Sequence, residues 1–152
     1  MTFPRVLALC RIFTGFIFIL FGEYKLASPD FASGGISRWL APAAAFPFYR
    51  PFLSHAVLAH PAFWGYFVGA GELAIGVSLV LGIWVRAASI GGLIEMLNLL
   101  AATGFSPGPH APLWQYFGAS LDHICPALLF VIFLFGRAGK TWGLDGKRIR
   151  KM

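Results

Sequence analysis

Charge is scarce in this chain. Only 12% of its 152 residues are Asp, Glu, Lys or Arg, and just six are acidic, where a soluble domain carries about a quarter. A small globule has a large surface for its volume, so this little charge cannot coat one, and an ordinary soluble domain is excluded. Cysteine is nearly absent too. Cys10 and Cys125 lie far apart in apolar segments, with no C-x-x-C, so neither a disulfide framework nor a thiol relay is supported. Disorder is excluded by the opposite imbalance, because 58% of residues are hydrophobic and 16 are Phe, and disordered segments are poor in both classes. A nucleic-acid face is missing as well. The net charge is +6, but six of the twelve basic residues follow residue 136 in a short tail, whereas nucleic-acid binding needs a folded basic face.

What is present reads as an integral membrane protein, all-α, in one domain (1–152). A spanning helix needs about 20 mostly apolar residues, and four windows qualify: roughly Val6 to Tyr24, Trp64 to Val85, Ala87 to Gly104, and Gly118 to Gly136. The first is read as an anchor, not a cleaved signal, because Arg11 interrupts its apolar run and no clean small-x-small site follows. Outside the spans, eight Lys and Arg fall on the side of the termini and three, Lys25, Arg38 and Arg50, on the other. The positive-inside bias then predicts a four-helix bundle with both termini cytoplasmic and a basic tail over 137–152. The second and third helices, joined almost without a loop at Arg86, form an antiparallel hairpin.

The outer loop, 25–63, is aromatic where a linker would be polar: Trp39, Phe46, Phe48, Tyr49, Phe52 and Phe63 alternate with five prolines. Such residues collect at the headgroup level, so the loop is expected to lie on the membrane face, with a short interfacial helix.

Charges inside hydrocarbon are costly and usually face the bundle interior. Here they are Arg11, Glu72, Glu95, Asp122 and His123, with Asn98, and Glu23 and Lys25 at the outer margin. Spacing is informative. Arg11, Gly15, Phe18, Gly22 and Lys25 step by four and three, as do Gly65, Gly69, Glu72, Gly76 and Gly91, Glu95, Asn98, Ala102. Residues so spaced share a helix face, and small residues mark helix–helix contacts in membranes. The polar faces therefore converge. With about 1.5 Å of rise per residue, Arg11 and Glu95 fall at similar depths from the cytoplasmic side, and an Arg11–Glu95 pair with Asn98 is expected as the polar core. Lys25, Glu72, Asp122 and His123 form the outer group, where Lys25 is expected to pair with Glu72 or Asp122. Pro126 cannot donate to the carbonyl of Asp122, and a kink there would open an outward polar pocket. Buried pairs can serve only to fix register; a carboxylate and a His near an opening can also relay protons or hydrogen-bond a quinone head group.

Other motifs carry less. Gly136 to Thr141 resembles the end of a P-loop, but it has two residues between its glycines instead of four and follows a membrane helix. His55 and His60 are five apart and do not share a helix face, so no metal site is expected. No covalent cofactor motif is recognised.

Two stretches resemble a known family. Leu9-Cys10-Arg11 with Gly15 and Gly22-Glu23-Tyr24-Lys25-Leu26, then Gly71-Glu72-Leu73, Gly76, Leu81-Gly82 and Arg86-Ala87-Ala88, are similar to the first and second helices of the DoxX-like membrane proteins. The resemblance covers the first three helices and weakens over the outer loop and the fourth. It implies a four-helix inner-membrane protein associated with redox chemistry, since the family includes DoxD-type subunits of thiosulfate:quinone oxidoreductase. The family's Arg, Lys and Glu fall on Arg11, Lys25 and Glu72. Many members carry a His before the glycine of Gly-x-x-Lys; here it is Phe21. Two readings follow: a redox-associated subunit placing a quinone near Lys25, Glu72, Asp122 and His123, or a non-catalytic subunit docking a larger membrane complex or a copy of itself. A small-molecule carrier is a third, poorly served by four short helices without a visible repeat.

Overall fold

The computed structural model of the chain describes residues 2–28, 30–31 and 35–149. Of the expected basic tail, Arg150 and Lys151 lie outside the described residues, as do the side chains of Lys147 and Arg148.

The backbone is helical, with no strand among the described residues. Helix α1 runs over Phe3–Ala27, with a proline in its first turn, where the missing N–H costs nothing. Helix α4, Pro61–Leu81, opens the same way and ends at Gly82, whose φ of 66° is the left-handed conformation that terminates helices. Trp84, also left-handed, starts α5 at Val85–Thr103. Helices α6 (Leu113–Ala119) and α7 (Leu121–Phe135) follow. Among the described residues three helices are long and apolar enough to cross a membrane, and the bent pair α6 and α7 makes a fourth if counted as one span. The chain is a multi-pass membrane protein.

The fourth span differs from expectation. It is not a straight rod over 118–136: α6 and α7 meet at 73°, and the break is at Ser120, whose φ of −120° and ψ of 10° leave the helical region. Gly118, Ala119 and Ser120 supply the weak point, as small residues do at helix kinks. This break precedes Pro126, and α7 continues through the proline.

Helices α1 and α4 form the tightest antiparallel pair. A Cβ on Gly15 would lie 2.8 Å from the Gly76 carbonyl oxygen, and one on Gly22 would lie 2.6 Å from the Leu73 amide nitrogen. The backbones touch, which is how membrane helices associate when lipid offers no hydrophobic push. On α5 the contact face is rotated from the expected stripe. Val85, Ala88, Ser89, Gly92 and Met96 are buried, and of the expected stripe only Ala102 joins them, while the Phe130 ring of α7 occupies the space a Gly92 side chain would need. Gly91 meets only Ile75, at 3.6 Å. One large ring seated on one glycine decides which face α5 turns inward. Phe130 also packs edge-on against Phe18, centroids 5.1 Å apart, closing a core with Leu79, Met96 and Phe133.

The segment between α1 and α4 is folded. It holds short helices α2 (Ile36–Trp39) and α3 (Arg50–Phe52), and a helical turn over Leu53–Val57. Phe31, Ile36, Ala45, Leu53 and Val57 form its own small core. Phe46 N–H donates to the Ala101 carbonyl and Phe105 N–H to that of Ala44, both at 2.9 Å, tying the segment to the end of α5. At the other end of the bundle the chain closes with α8, Leu144–Ile149.

Candidate functional site

Lys25 stands in the last turn of α1. Helical side chains lean toward the N-terminus, so its stem points back into the bundle. Gly69 makes room: a Cβ there would lie 2.9 Å from Lys25 Cβ. The stem crosses α4 at this glycine and the ammonium donates to Glu72 Oε1 one turn further in. The rings of Phe21 and Phe31 lie 6.0 and 5.9 Å from Nζ, within cation–π range. The Glu72 side chain is 4% exposed. Its carboxyl faces that of Glu95 across the α4–α5 hairpin, within hydrogen-bonding reach, and Glu72 Oε2 and Glu95 Oε1 have no protein donor. The expected Lys25–Glu72 pair is present, and Glu95 is its third member.

The expected Arg11–Glu95 pair does not form. The Arg11 guanidinium is fully buried and donates to the carbonyls of Leu79, of Val80 at 3.5 Å and of Trp142 at 3.2 Å. Register explains the difference. Glu72 and Glu95 are nearly equidistant from the Gly82–Trp84 turn, about 15 Å along each helix, so the hairpin brings them level. Arg11 reaches the turn itself, where the last carbonyls of α4 lack helical partners and a cation suits the negative end of the helix. Asp145 completes this end: Oδ1 and Oδ2 accept from the amides of Trp84 and Val85, both at 3.0 Å, and its own N–H donates to the Gly82 carbonyl at 2.9 Å. Sequence reasoning missed Asp145, although its signal was there: it is the one acid in a basic tail.

The DoxX family model matches residues 6–106, two thirds of the chain. The protein belongs to the DoxX family. The matched region holds Arg11, Lys25, Glu72 and Glu95 and leaves out Asp122, His123 and Asp145. No curated protein matches the chain, and no solved structure does.

In this DoxX protein the outer group splits. Asp122 and His123 open α7, with His123 Nδ1 3.7 Å from Asp122 Oδ1 and the Asp122 side chain 70% exposed. The described ion pairs leave Lys25 to Glu72 alone. Among the described residues no three His, Cys, Asp or Glu side chains converge as a metal cluster would. Asn98 is not in the polar core either: it is exposed, bonds the Ile94 carbonyl at 2.7 Å and accepts from the Tyr49 hydroxyl at 2.7 Å. Tyr49 and Asn98 line a groove of about 400 Å³ with Phe46, Phe48, Leu97, Leu100 and Ala101. Burial pushes the Tyr49 phenol above its ordinary value of 10.0, which keeps it a donor.

Proposed function

We propose that this DoxX protein is a small subunit of a quinone-linked redox complex in the bacterial inner membrane, with both termini in the cytoplasm. The observation that carries this reading is the Lys25–Glu72–Glu95 chain of titratable groups inside apolar helices. Such groups are rare there and mark ligand or proton sites. Lys25 is the one donor in the group able to meet a quinone carbonyl, and the two carboxyls are acids and bases beside it. Electrons come from a partner subunit, and Asp122 and His123 form a separate polar pair at the exposed end of α7. The test is purification from native membranes, comparing quinone content between the wild type and Glu72→Gln. The proposal expects co-purifying quinone that the variant loses, and unchanged content overturns it.

A second reading, a non-catalytic subunit docking a larger complex, is favoured by how closed the group is. Glu72 is 3% exposed, and the surface groove at Tyr49 and Asn98 does not reach it. A stable partner co-purifying equally with wild type and Glu72→Gln supports this reading.

A further inference from the structure

We propose that Glu72 and Glu95 together form an intramembrane site that binds and releases one proton. The inference goes beyond the redox reading and does not depend on it.

The argument is a count of charges and of hydrogen-bond partners. One ammonium, Lys25, faces two carboxyls, so the group lacks one positive charge when both acids are ionised. Nearby water does not screen the shortfall, since Glu72 is almost wholly buried. Partner counting agrees: Glu72 Oε2 and Glu95 Oε1 are both buried and reached by no protein N–H or O–H. Buried acceptors of this kind call for an explanation. A proton held between the carboxyls supplies the missing charge and turns a repulsive contact into a hydrogen bond. Two acids this close titrate as a pair.

The surrounding charges leave the pair to itself. From α1, Lys25 holds Glu72, while Arg11 is committed to carbonyls at the opposite end. From α7, Asp122 and His123 lie beside each other, with Asp122 exposed. Arg38 on α2, Arg86 on α5 and Lys140 are exposed. Lys25 is thus the one cation set against the two carboxyls among the groups named here.

The test uses the full chain in lipid nanodiscs, read by infrared difference spectroscopy as pH is stepped upward. The expected result is a protonated-carboxyl C=O band that fades as pH rises. The band should be lost in Glu95→Gln, an isosteric change whose amide still donates to Glu72, and lost in Glu72→Gln. Asp122→Asn should leave it intact. A band unchanged in Glu95→Gln overturns the proposal, and so does the absence of a band in the wild type. Removal of the band by sodium ions at constant pH also overturns it, since the pair would then be a metal-cation site. If Glu72→Gln does not fold, Glu95→Gln decides alone.

Discussion

Arg11 and Asp145 grip the same turn from opposite sides: the guanidinium takes the carbonyls that end α4, and the carboxylate takes the amides that begin α5. Each charge sits at the helix end whose dipole it opposes. Asp145→Ala should cost about 1 kcal/mol, the usual value of a lost cap. Arg11→Met should cost about 2 kcal/mol, as for hydrogen bonds from a charged donor. Because both act on one turn, the double variant should lose less than the sum. Denaturant unfolding in micelles measures all three, and strict additivity would contradict a shared clasp.

Glycines at the α1–α4 contact should not tolerate a methyl group. Gly22→Ala places a Cβ 2.6 Å from the Leu73 nitrogen and 2.8 Å from the Gly69 oxygen, and such overpacking costs about 1–3 kcal/mol. Gly71 has open space around it, so Gly71→Ala should be neutral or gain up to about 1 kcal/mol from reduced chain entropy. The same unfolding assay reads both. Equal losses at the two sites would mean the helices are not in close contact at Gly22.

Gly92 and Phe130 should be coupled in the same manner. Gly92→Ala drives a methyl into the ring and should destabilise, while adding Phe130→Leu frees space and should restore part of the loss. Melting temperatures of the two singles and the double test this. A double variant worse than Gly92→Ala would overturn the ring-on-glycine contact.

Lys25 and Glu72 should be more costly to break than to remove. Lys25→Met leaves two facing carboxyls without their cation and should cost about 3 kcal/mol or more, whereas a full apolar replacement of a buried pair is often close to neutral. Lys25→Met with Glu72→Leu should therefore fall closer to wild type than Lys25→Met alone. Unfolding free energies of both variants decide it.

The Tyr49 phenol should ionise late. Burial raises its value above 10.0, so the folded protein holds that proton at pH values where the unfolded chain has released it. The stability this contributes is present below about pH 10 and is lost as pH rises through the folded value. An ultraviolet titration of wild type against Tyr49→Phe isolates the transition. A Tyr49 midpoint at or below 10 would show that the groove is wet.

The architecture was legible in sequence where apolar runs and glycine spacing acted together. The Gly15/Gly22 and Gly69/Gly76 stripes marked helix contact faces, which meet as the α1–α4 seam, and Lys25, expected to pair with Glu72 or Asp122, pairs with Glu72 across it. Elsewhere, information non-local to each helix decided. Periodicity alone could not choose Gly92 over Gly91, because Phe130, nearly forty residues on, makes that choice. Depth along single helices matched Glu95 with Arg11, whereas counting outward from the Gly82 turn matches it with Glu72. Pro126 drew attention as the breaker, yet Ser120 bends the chain, since a proline near the start of α7 forfeits only one bond of its ladder. The aromatic segment read as a surface layer because its small core, Phe31 with Leu53 and Val57, is assembled from positions without a period.

The bend at Ser120 leaves α7 with 15 residues, a rise of about 22 Å against a hydrocarbon layer of about 30 Å. On that side the bilayer must thin, or α6 must sink to cover the shortfall, at a cost of fractions of a kcal/mol for each ångström. The protein therefore carries a thickness preference on one flank, and thinner bilayers should suit it better. Phospholipid tails pressed short beside Asp122 and His123 would bring headgroups and water to that polar pair without any opening in the protein itself.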